Sequence, residues 1–400
     1  MNNTSVMEGS EAVAVAVKAC RPHVISAYPI SPQTHIVESL ARMVAGGELD
    51  SQYVRVESEF SAASVISGAS AAGSRSYTAS SSQGLLLMTE VFYASAGMRL
   101  PFVITGVNRQ ISAPISIQVD HQDTMSLRDS GVIQFYVESS QEAYDTHMAA
   151  FKIAEDPGIL LPVMVCMDGW ILTHSYERIT LLEQDEVDGF LPPFQPVNSL
   201  DVNDPKSWGS YAEEDMLMEF KYAVHQAMQS GKKRMKEIFT ELAQITGRDH
   251  GGLIEAYRTE DAEFILVAMG SVTGTVKEAV DELRSEGKAL GLIKLRCYRP
   301  FPHEDILNAI KGARAVGVME ANFSMGSEGA VSMDLKAKLC GQKDAPLVVS
   351  FIAGLGGREI NINTVRNIVE ELEGVAGSDV PQLEPRWVGL NTDILPKGVE

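Results

Sequence analysis

Two α/β domains built on parallel sheets are what this sequence predicts, on three observations. The chain is 400 residues long, more than one ordinary core accommodates. Short apolar runs alternate with helical stretches along most of its length, the pattern of strands joined by crossover helices. The strand-like runs end in polar or glycine-rich turns, and in open α/β sheets ligands bind at that carboxyl edge.

Composition narrows the class. Apolar residues make up 45% and charged residues 22%, the profile of a soluble globular protein. No apolar run approaches a membrane span, and Met1-Asn-Asn-Thr-Ser-Val-Met-Glu-Gly-Ser10 lacks the basic and apolar regions of a signal peptide. A cytoplasmic location is therefore expected, with no membrane partner. With 53 acidic against 33 basic residues the formal charge is -20, which argues against nucleic acid as a partner. Cys20, Cys166, Cys297 and Cys340 are scattered, in neither a zinc nor an iron-sulfur spacing. Buried free thiols are predicted, and any metal cluster of the system is expected on another chain.

In chain order, residues 8–18 read as a helix and 23–28 as a short buried strand. The strand ends at Tyr28-Pro-Ile-Ser-Pro-Gln-Thr34, where two prolines bracket Ser31 and fix an extended turn before a helix that starts near Gln33. Ser31 can there bind a ligand oxygen, or Ser31 or Thr34 can cap the helix. Residues 53–59 alternate polar and apolar and read as a strand. It feeds Phe60-Ser-Ala-Ala-Ser-Val-Ile-Ser-Gly-Ala-Ser-Ala-Ala-Gly73, whose small residues permit close helix packing. Glu57 and Glu59 thus stand where a strand hands over to a helix. They serve either as first-turn acids complementing the helix dipole or as a ligand-binding carboxylate.

Next, 76–79 reads as a strand, Ser80-Ser-Ser-Gln-Gly84 as a turn and 85–96 as a helix. No Gly-Lys-Ser/Thr follows, so the turn is read as a cofactor wall and not a phosphate loop. Residues 100–107 form an apolar strand that ends at Asn108-Arg109, followed by the cluster Asp120-His-Gln-Asp123. Arg109 suits a bidentate grip on a carboxylate, or an ion pair with Asp120 or Asp123. His121 lacks a helix-spaced partner and reads as a hydrogen-bonding loop residue. Strands at 135–138 and 161–167 flank a helix at 141–154. The chain then reads as loop-rich, followed by a connector helix over roughly 212–246.

From Asp261 a second strand-helix series begins, with strands at 264–269, 290–294 and 315–320 and helices at 275–286 and 304–310. Its turn Gly270-Ser-Val-Thr-Gly274 is not Gly-x-Gly-x-x-Gly, so a dinucleotide site is weakly supported. The expected organisation is a domain over 1–235, a linker over 236–258 and a second domain over 259–400.

Several motifs together carry a resemblance. Tyr28-Pro-Ile-Ser-Pro-Gln-Thr34, Val56-Glu-Ser-Glu59 with its alanine-rich helix, Asn108-Arg109 with Ser112-Ala-Pro-Ile-Ser116, Asp120-His-Gln-Asp123 and Arg128-Asp-Ser-Gly131 resemble the alpha subunit of 2-oxoacid:ferredoxin oxidoreductases, nearest the pyruvate branch. The likeness continues through Pro162-Val-Met-Val-Cys-Met-Asp-Gly169, Met269-Gly-Ser-Val-Thr-Gly-Thr275 and Arg296-Cys-Tyr-Arg-Pro-Phe-Pro302. It implies a thiamine diphosphate-type pyrimidine-binding domain, with a parallel sheet and flanking helices, joined to a transketolase-C-terminal-like α/β domain. The implied reaction is CoA-linked oxidative decarboxylation of a 2-oxo acid.

The resemblance also implies a division of labour. A beta subunit holds Mg2+ and the diphosphate, in keeping with the lack here of Gly-Asp-Gly followed by an asparagine pair. Gamma and ferredoxin-like delta subunits complete the complex, [4Fe-4S] clusters lie on partner subunits and none in this chain, and ferredoxin or a similar carrier takes the electrons. Two or more copies per assembly are expected. By the same resemblance Glu59 is catalytic, Pro29, Glu59 and Gln83 bind the cofactor, and Ser31 and Arg109 bind the substrate; no metal ligand is implied. Pyruvate is the first expectation. Gln118-Val119, where pyruvate members often carry an aromatic residue, admits a branched-chain acid or an arylglyoxylate such as phenylglyoxylate. A non-catalytic scaffold subunit is the alternative of another class.

Overall fold

The computed structural model describes residues 3–378 and 384–395 and divides into two compact units. The first is Met1–Glu255 with Leu295–Pro302, and the second is Ala256–Lys294 with His303–Glu400.

In the first unit the strands are β1 (Asn3–Glu8), β2 (Val24–Ala27), β3 (Gln52–Arg55), β4 (Ser76–Ser80), β5 (Val103–Asn108), β6 (Ile133–Tyr136), β7 (Val163–Asp168) and β8 (Tyr176–Leu181). The helices are α1 (Gly9–Ala19), α2 (Thr34–Ala45), α3 (Glu59–Ala71), α4 (Ser82–Leu87), α5 (Thr89–Gly97), α6 (Gln122–Met125), α7 (Ser140–Glu155), α8 (Gln184–Phe190) and α9 (Leu217–Thr246). One seven-stranded sheet runs in the order Cys297–Arg299, β6, β7, β5, β4, β2, β3. It is parallel throughout except where Cys297–Arg299 pairs antiparallel with β6. Every residue of β4, β5 and β7 is buried, as inner strands covered on both faces must be.

Several boundaries differ from the sequence reading, each for a local reason. The run 53–59 is strand only through Arg55, because Ser58 adopts an extended backbone and its Oγ accepts from Ser61 N at 3.2 Å. A serine N-cap ends the strand and starts α3 at Glu59. Neither Ser31 nor Thr34 caps α2, whose N-cap position is Gln33 with no side-chain cap. Residues read as loop after Asp168 include β8, which pairs antiparallel with β1 in a separate two-stranded sheet. The segment 296–302, read within the second domain, instead supplies an edge strand of the first sheet.

The expected linker, 236–258, begins inside α9. Ala227, Gly231, Met235, Ile238, Phe239 and Leu242 form the buried stripe of that helix, and Phe239 meets Phe135 edge-on at 5.2 Å. A stripe at helical spacing needs a core to cover it, so the helix belongs to the first unit. None of the four cysteines is in a disulfide; Cys20, Cys166 and Cys297 are buried and Cys340 is exposed.

The second unit has a sheet whose strands Arg386–Trp387, Leu347–Ile352, Ala315–Glu320, Phe264–Ala268 and Leu290–Leu295 are consecutive neighbours and pair in parallel. Helices Val272–Ser285 and Ile362–Ala376 bury Val276, Val280, Leu283, Val365, Ile368 and Leu372 in its core. Among the described residues no helix is long and apolar enough to cross a membrane.

Candidate active site

The carboxyl ends of β2, β4, β5 and β7 open into the loops that hold most of the singled-out residues, and α3 enters beside them after β3. Glu59 is the first residue of α3 and only 8% exposed. Gly84 makes room for it: a Cβ built there would lie 2.7 Å from Glu59 Oε1 and 2.4 Å from Ser80 Oγ. Ser80 and Ser81 hydroxyls, and Gln33 Oε1, are buried without hydrogen-bond partners. The Glu59 carboxylate accepts no hydrogen bond from the described residues. Glu57 is instead exposed and accepts from Ser61 Oγ at 2.5 Å, a contact that lowers its pKa. The two acids thus differ in geometry: Glu57 is exposed and hydrogen-bonded, and Glu59 is buried.

Arg109 is 8% exposed. Its Nη1 donates to Ser31 O at 2.8 Å and its Nε to Ser116 O at 3.2 Å. The guanidinium therefore holds two neutral carbonyl oxygens and not the Asp120 or Asp123 carboxylate. A planar cation whose acceptors are both uncharged keeps its attraction for an anion. The same contact joins the Tyr28–Thr34 turn to the β5 loop, so Ser31 and Arg109 are neighbours. Ser31 and Pro29 are exposed. Pro32 is buried against the β7 turn, where a Cβ on Gly169 would meet Pro32 Cγ at 2.6 Å and Asn108 O at 2.5 Å. Gln83, in the first turn of α4, accepts from Ser82 Oγ and donates to Ser112 Oγ, so its amide faces the 109–121 loop.

Asp123 is a residue whose role the sequence did not disclose. It is fully buried, and its Oδ2 accepts from Ser82 N at 2.9 Å and Arg109 N at 3.0 Å. Its Oδ1 accepts from Asn108 Nδ2 at 3.0 Å. One carboxylate thus ties the loop after β4 to the loop after β5. Burial pushes its pKa up to about 7 against the pull of these donors. The left-handed backbone of Ser82, with φ 50°, turns its N–H to this carboxylate. His121, expected to be a hydrogen-bonding loop residue, does bond, with Nε2 2.8 Å from Asp168 Oδ1. Burial opposes the imidazolium, but Asp168 chiefly, with Asp120 and Asp123, raises its pKa overall.

A thiamine-type aminopyrimidine fits this donor set. Its ring nitrogen needs a carboxylate and its amino group needs acceptors. Glu59 and the unpartnered Ser80 and Ser81 hydroxyls are groups of that kind, and Gly84 leaves room for the Glu59 carboxylate beside Ser80.

The fold is a transketolase-like α/β architecture, and in its first unit a carboxylate is buried at the start of α3. The structure is similar, with a TM-score of 0.55 and 13% identity over 93% of this chain and 99% of the other, to a split gene transketolase solved as an inactive beta4 tetramer. It is also similar to 2-oxoglutarate:ferredoxin oxidoreductase from Magnetococcus marinus, with a TM-score of 0.67 and 21% identity over 92% of this chain. The match spans 65% of that longer chain. Residues 15–240 match the family described as pyruvate flavodoxin/ferredoxin oxidoreductase, thiamine diphosphate-binding, and residues 262–365 match pyruvate:ferredoxin oxidoreductase core domain II.

Similar whole chains are pyruvate synthase subunit PorA of Methanosarcina barkeri, 49% identical over 98% of this chain and 97% of the relative, and ketoisovalerate oxidoreductase subunit VorA of Pyrococcus abyssi, 41% identical over 96% and 97%. The chain belongs to the 2-oxoacid:ferredoxin oxidoreductase family, as an alpha-type subunit of an oxidoreductase.

Proposed function

We propose that this chain supplies the pyrimidine side of a thiamine diphosphate site in a complex that oxidatively decarboxylates a 2-oxo acid to its acyl-CoA, with pyruvate the first substrate. The observation that carries the reading is the Glu59 carboxylate, buried at the start of α3 against a glycine and beside unpartnered hydroxyls. When bound, the cofactor supplies an acidic thiazolium carbon and an electron sink. Glu59 would hold a proton at the pyrimidine ring nitrogen and so would tune the neighbouring amino group for service as a base. Pro29 and Gln83, on the flanking turns, complete the cofactor wall.

Arg109 would take the carboxylate of the 2-oxo acid, and the Ser31 hydroxyl would contact its oxygens. The contact between Arg109 and Ser31 O supports this reading, because it keeps the two residues side by side. The diphosphate and Mg2+ belong to a beta subunit, the [4Fe-4S] clusters to the other subunits, gamma and a ferredoxin-like delta, and the electrons leave to ferredoxin or a similar carrier. Cytoplasmic operation in an assembly with two or more copies follows from the same family reading. The 41% identity to a ketoisovalerate oxidoreductase subunit supports, as the second reading, a larger acid. It joins the Gln118-Val119 pair at the base of the 109–121 loop, where Gln110 N donates to Gln118 O at 2.9 Å.

The test is CoA-dependent viologen reduction by the purified complex with pyruvate, 2-oxoisovalerate and phenylglyoxylate at equal concentration. Pyruvate is expected to be fastest, and Glu59→Gln to lower kcat by roughly 10²–10⁴ while the complex still assembles. Preference for another acid would replace the substrate. Full turnover in Glu59→Gln, with assembly impaired, would instead establish a scaffold role.

A further inference from the structure

Three ligand-bearing side chains converge where β1, the first turn of α2 and the segment after β7 meet. The donor atoms of Glu8, His35 and His174 lie within 4.8 Å of one another. Glu8 is the last residue of β1, and its Oε1 stands 2.7 Å from His35 Nδ1. The His35 and His174 rings are 4.7 Å apart between centroids, tilted by 38°. A histidine-carboxylate pair accounts for two of these residues, and the third, His174, brings a further ligand nitrogen within reach of the same carboxylate.

From this convergence we infer that Glu8, His35 and His174 form a binding site for one divalent transition-metal ion, zinc being the best match. Two imidazole nitrogens and a carboxylate oxygen suit zinc, and three protein ligands leave a fourth position for water or an exogenous ligand. Bringing three donors around one ion requires closing them to about 2.0–2.2 Å from the metal. Side-chain rotation on the partly exposed His35, 49% accessible, allows that closure.

Supporting contacts select the ligating nitrogen. Thr173 Oγ1 lies 2.7 Å from His174 Nδ1 and already accepts from Trp170 N at 2.9 Å. Its second lone pair can accept Nδ1–H, the tautomer that leaves Nε2 bare for a metal. Trp170 stacks on the His174 ring at 4.3 Å, and its Nε1 donates to Ile117 O at 2.6 Å. The metal would thus cross-link β1, α2 and the post-β7 segment. Through Trp170 it would also steady the 109–121 loop, which carries Arg109 at its base.

The experiment uses the full-length chain carrying Cys340→Ser, to remove the exposed thiol, after chelator treatment and titration with zinc alone. One equivalent is expected to bind with a micromolar or tighter dissociation constant. Zinc K-edge absorption is expected to show nitrogen and oxygen scatterers at about 2.0–2.2 Å and no sulfur. His35→Ala and His174→Ala should each weaken binding at least 100-fold, and His225→Ala should leave it unchanged. Glu8→Gln keeps a hydrogen-bond partner for His35 and removes the anionic ligand; a loss of at least tenfold is expected. Zinc should raise the unfolding temperature of the parent chain and not that of His174→Asn. Parent-like affinity in Glu8→Gln or in either folded histidine variant, sulfur in the first shell, or no stoichiometric uptake would overturn the assignment.

Discussion

Glu59 and Glu320 occupy comparable places, one in each unit: both lie at a sheet rim beside the start of a helix, both buried, and they are held in opposite ways. Glu320 ends the strand Ala315–Glu320, and its carboxylate accepts from Val331 N at 2.8 Å, Ser332 N at 2.9 Å, Ser332 Oγ at 2.7 Å and Asn322 Nδ2 at 3.2 Å. All but the last of these donors come from the first turn of helix Ala330–Leu339. Glu59 accepts nothing from the described residues and faces a glycine. A saturated buried carboxylate is a structural tie, whereas one left with its lone pairs open at a ligand edge is available for chemistry. The arginines divide in the same way: Arg296 is buried on Glu142, with Nε 2.5 Å from Oε1, while Arg109 holds only carbonyls.

The sharpest way to break that comparison, after loss of the Glu59 carboxyl itself, is at Arg109. Arg109→Met should cut kcat/KM for the 2-oxo acid by about 10²–10³, as removal of a desolvated charge partner does, with most of the loss in KM. Steady-state kinetics check this. An effect on thermal stability alone, with kinetics intact, would class Arg109 with Arg296.

Gly84→Ala comes next. The added Cβ would fall within 2.7 Å of Glu59 Oε1 and force the carboxylate to move. A displacement of that size costs of the order of 10²-fold in rate, read in kcat at saturating thiamine diphosphate. Gly68→Ala, on α3, is the control, because its added methyl would meet nothing within 4 Å. It should retain full activity.

The smallest effect is on stability. Burial raises the Glu320 pKa from 4.5 to about 7, so between those values the folded chain holds a proton that the unfolded chain releases. The contribution of this group to stability is present below pH 4.5, falls as pH rises through the window and is lost above about 7. Urea unfolding should show the stability advantage of the parent chain over Glu320→Gln shrinking from about pH 5 to about pH 7, by at most about 1.4 kcal/mol per pH unit. Turnover should be unaffected.

Much of this was legible in the sequence. Strand-helix alternation pointed to the parallel sheets, because continuous apolar runs such as Val163–Asp168 allow little else. Glu59 stands out in the sequence as a carboxylate at a strand-helix junction, and the likeness of the surrounding motifs selects it over Glu57 for the role proposed above. Other features were not. Ser58 as N-cap was hidden in an alternating run that mimicked strand, and only backbone conformation separates the two. The antiparallel return of Cys297–Arg299 to the first sheet pairs it with Phe135 and Gln134, far beyond the reach of any local pattern. Asp123 reads in the sequence only as a candidate ion-pair partner of Arg109; its bonds are instead to the N–H groups of Ser82 and Arg109, which only folding brings together.

The central claim is that the open Glu59 carboxylate acts on the bound cofactor. The most direct measurement is the exchange rate of the thiazolium C2 proton of thiamine diphosphate bound to the assembled complex, in deuterated buffer without substrate. Glu59→Gln is expected to slow exchange by at least about 10² with cofactor still bound. Exchange as fast as in the parent complex would contradict the account and return Glu59 to the structural class of Glu320.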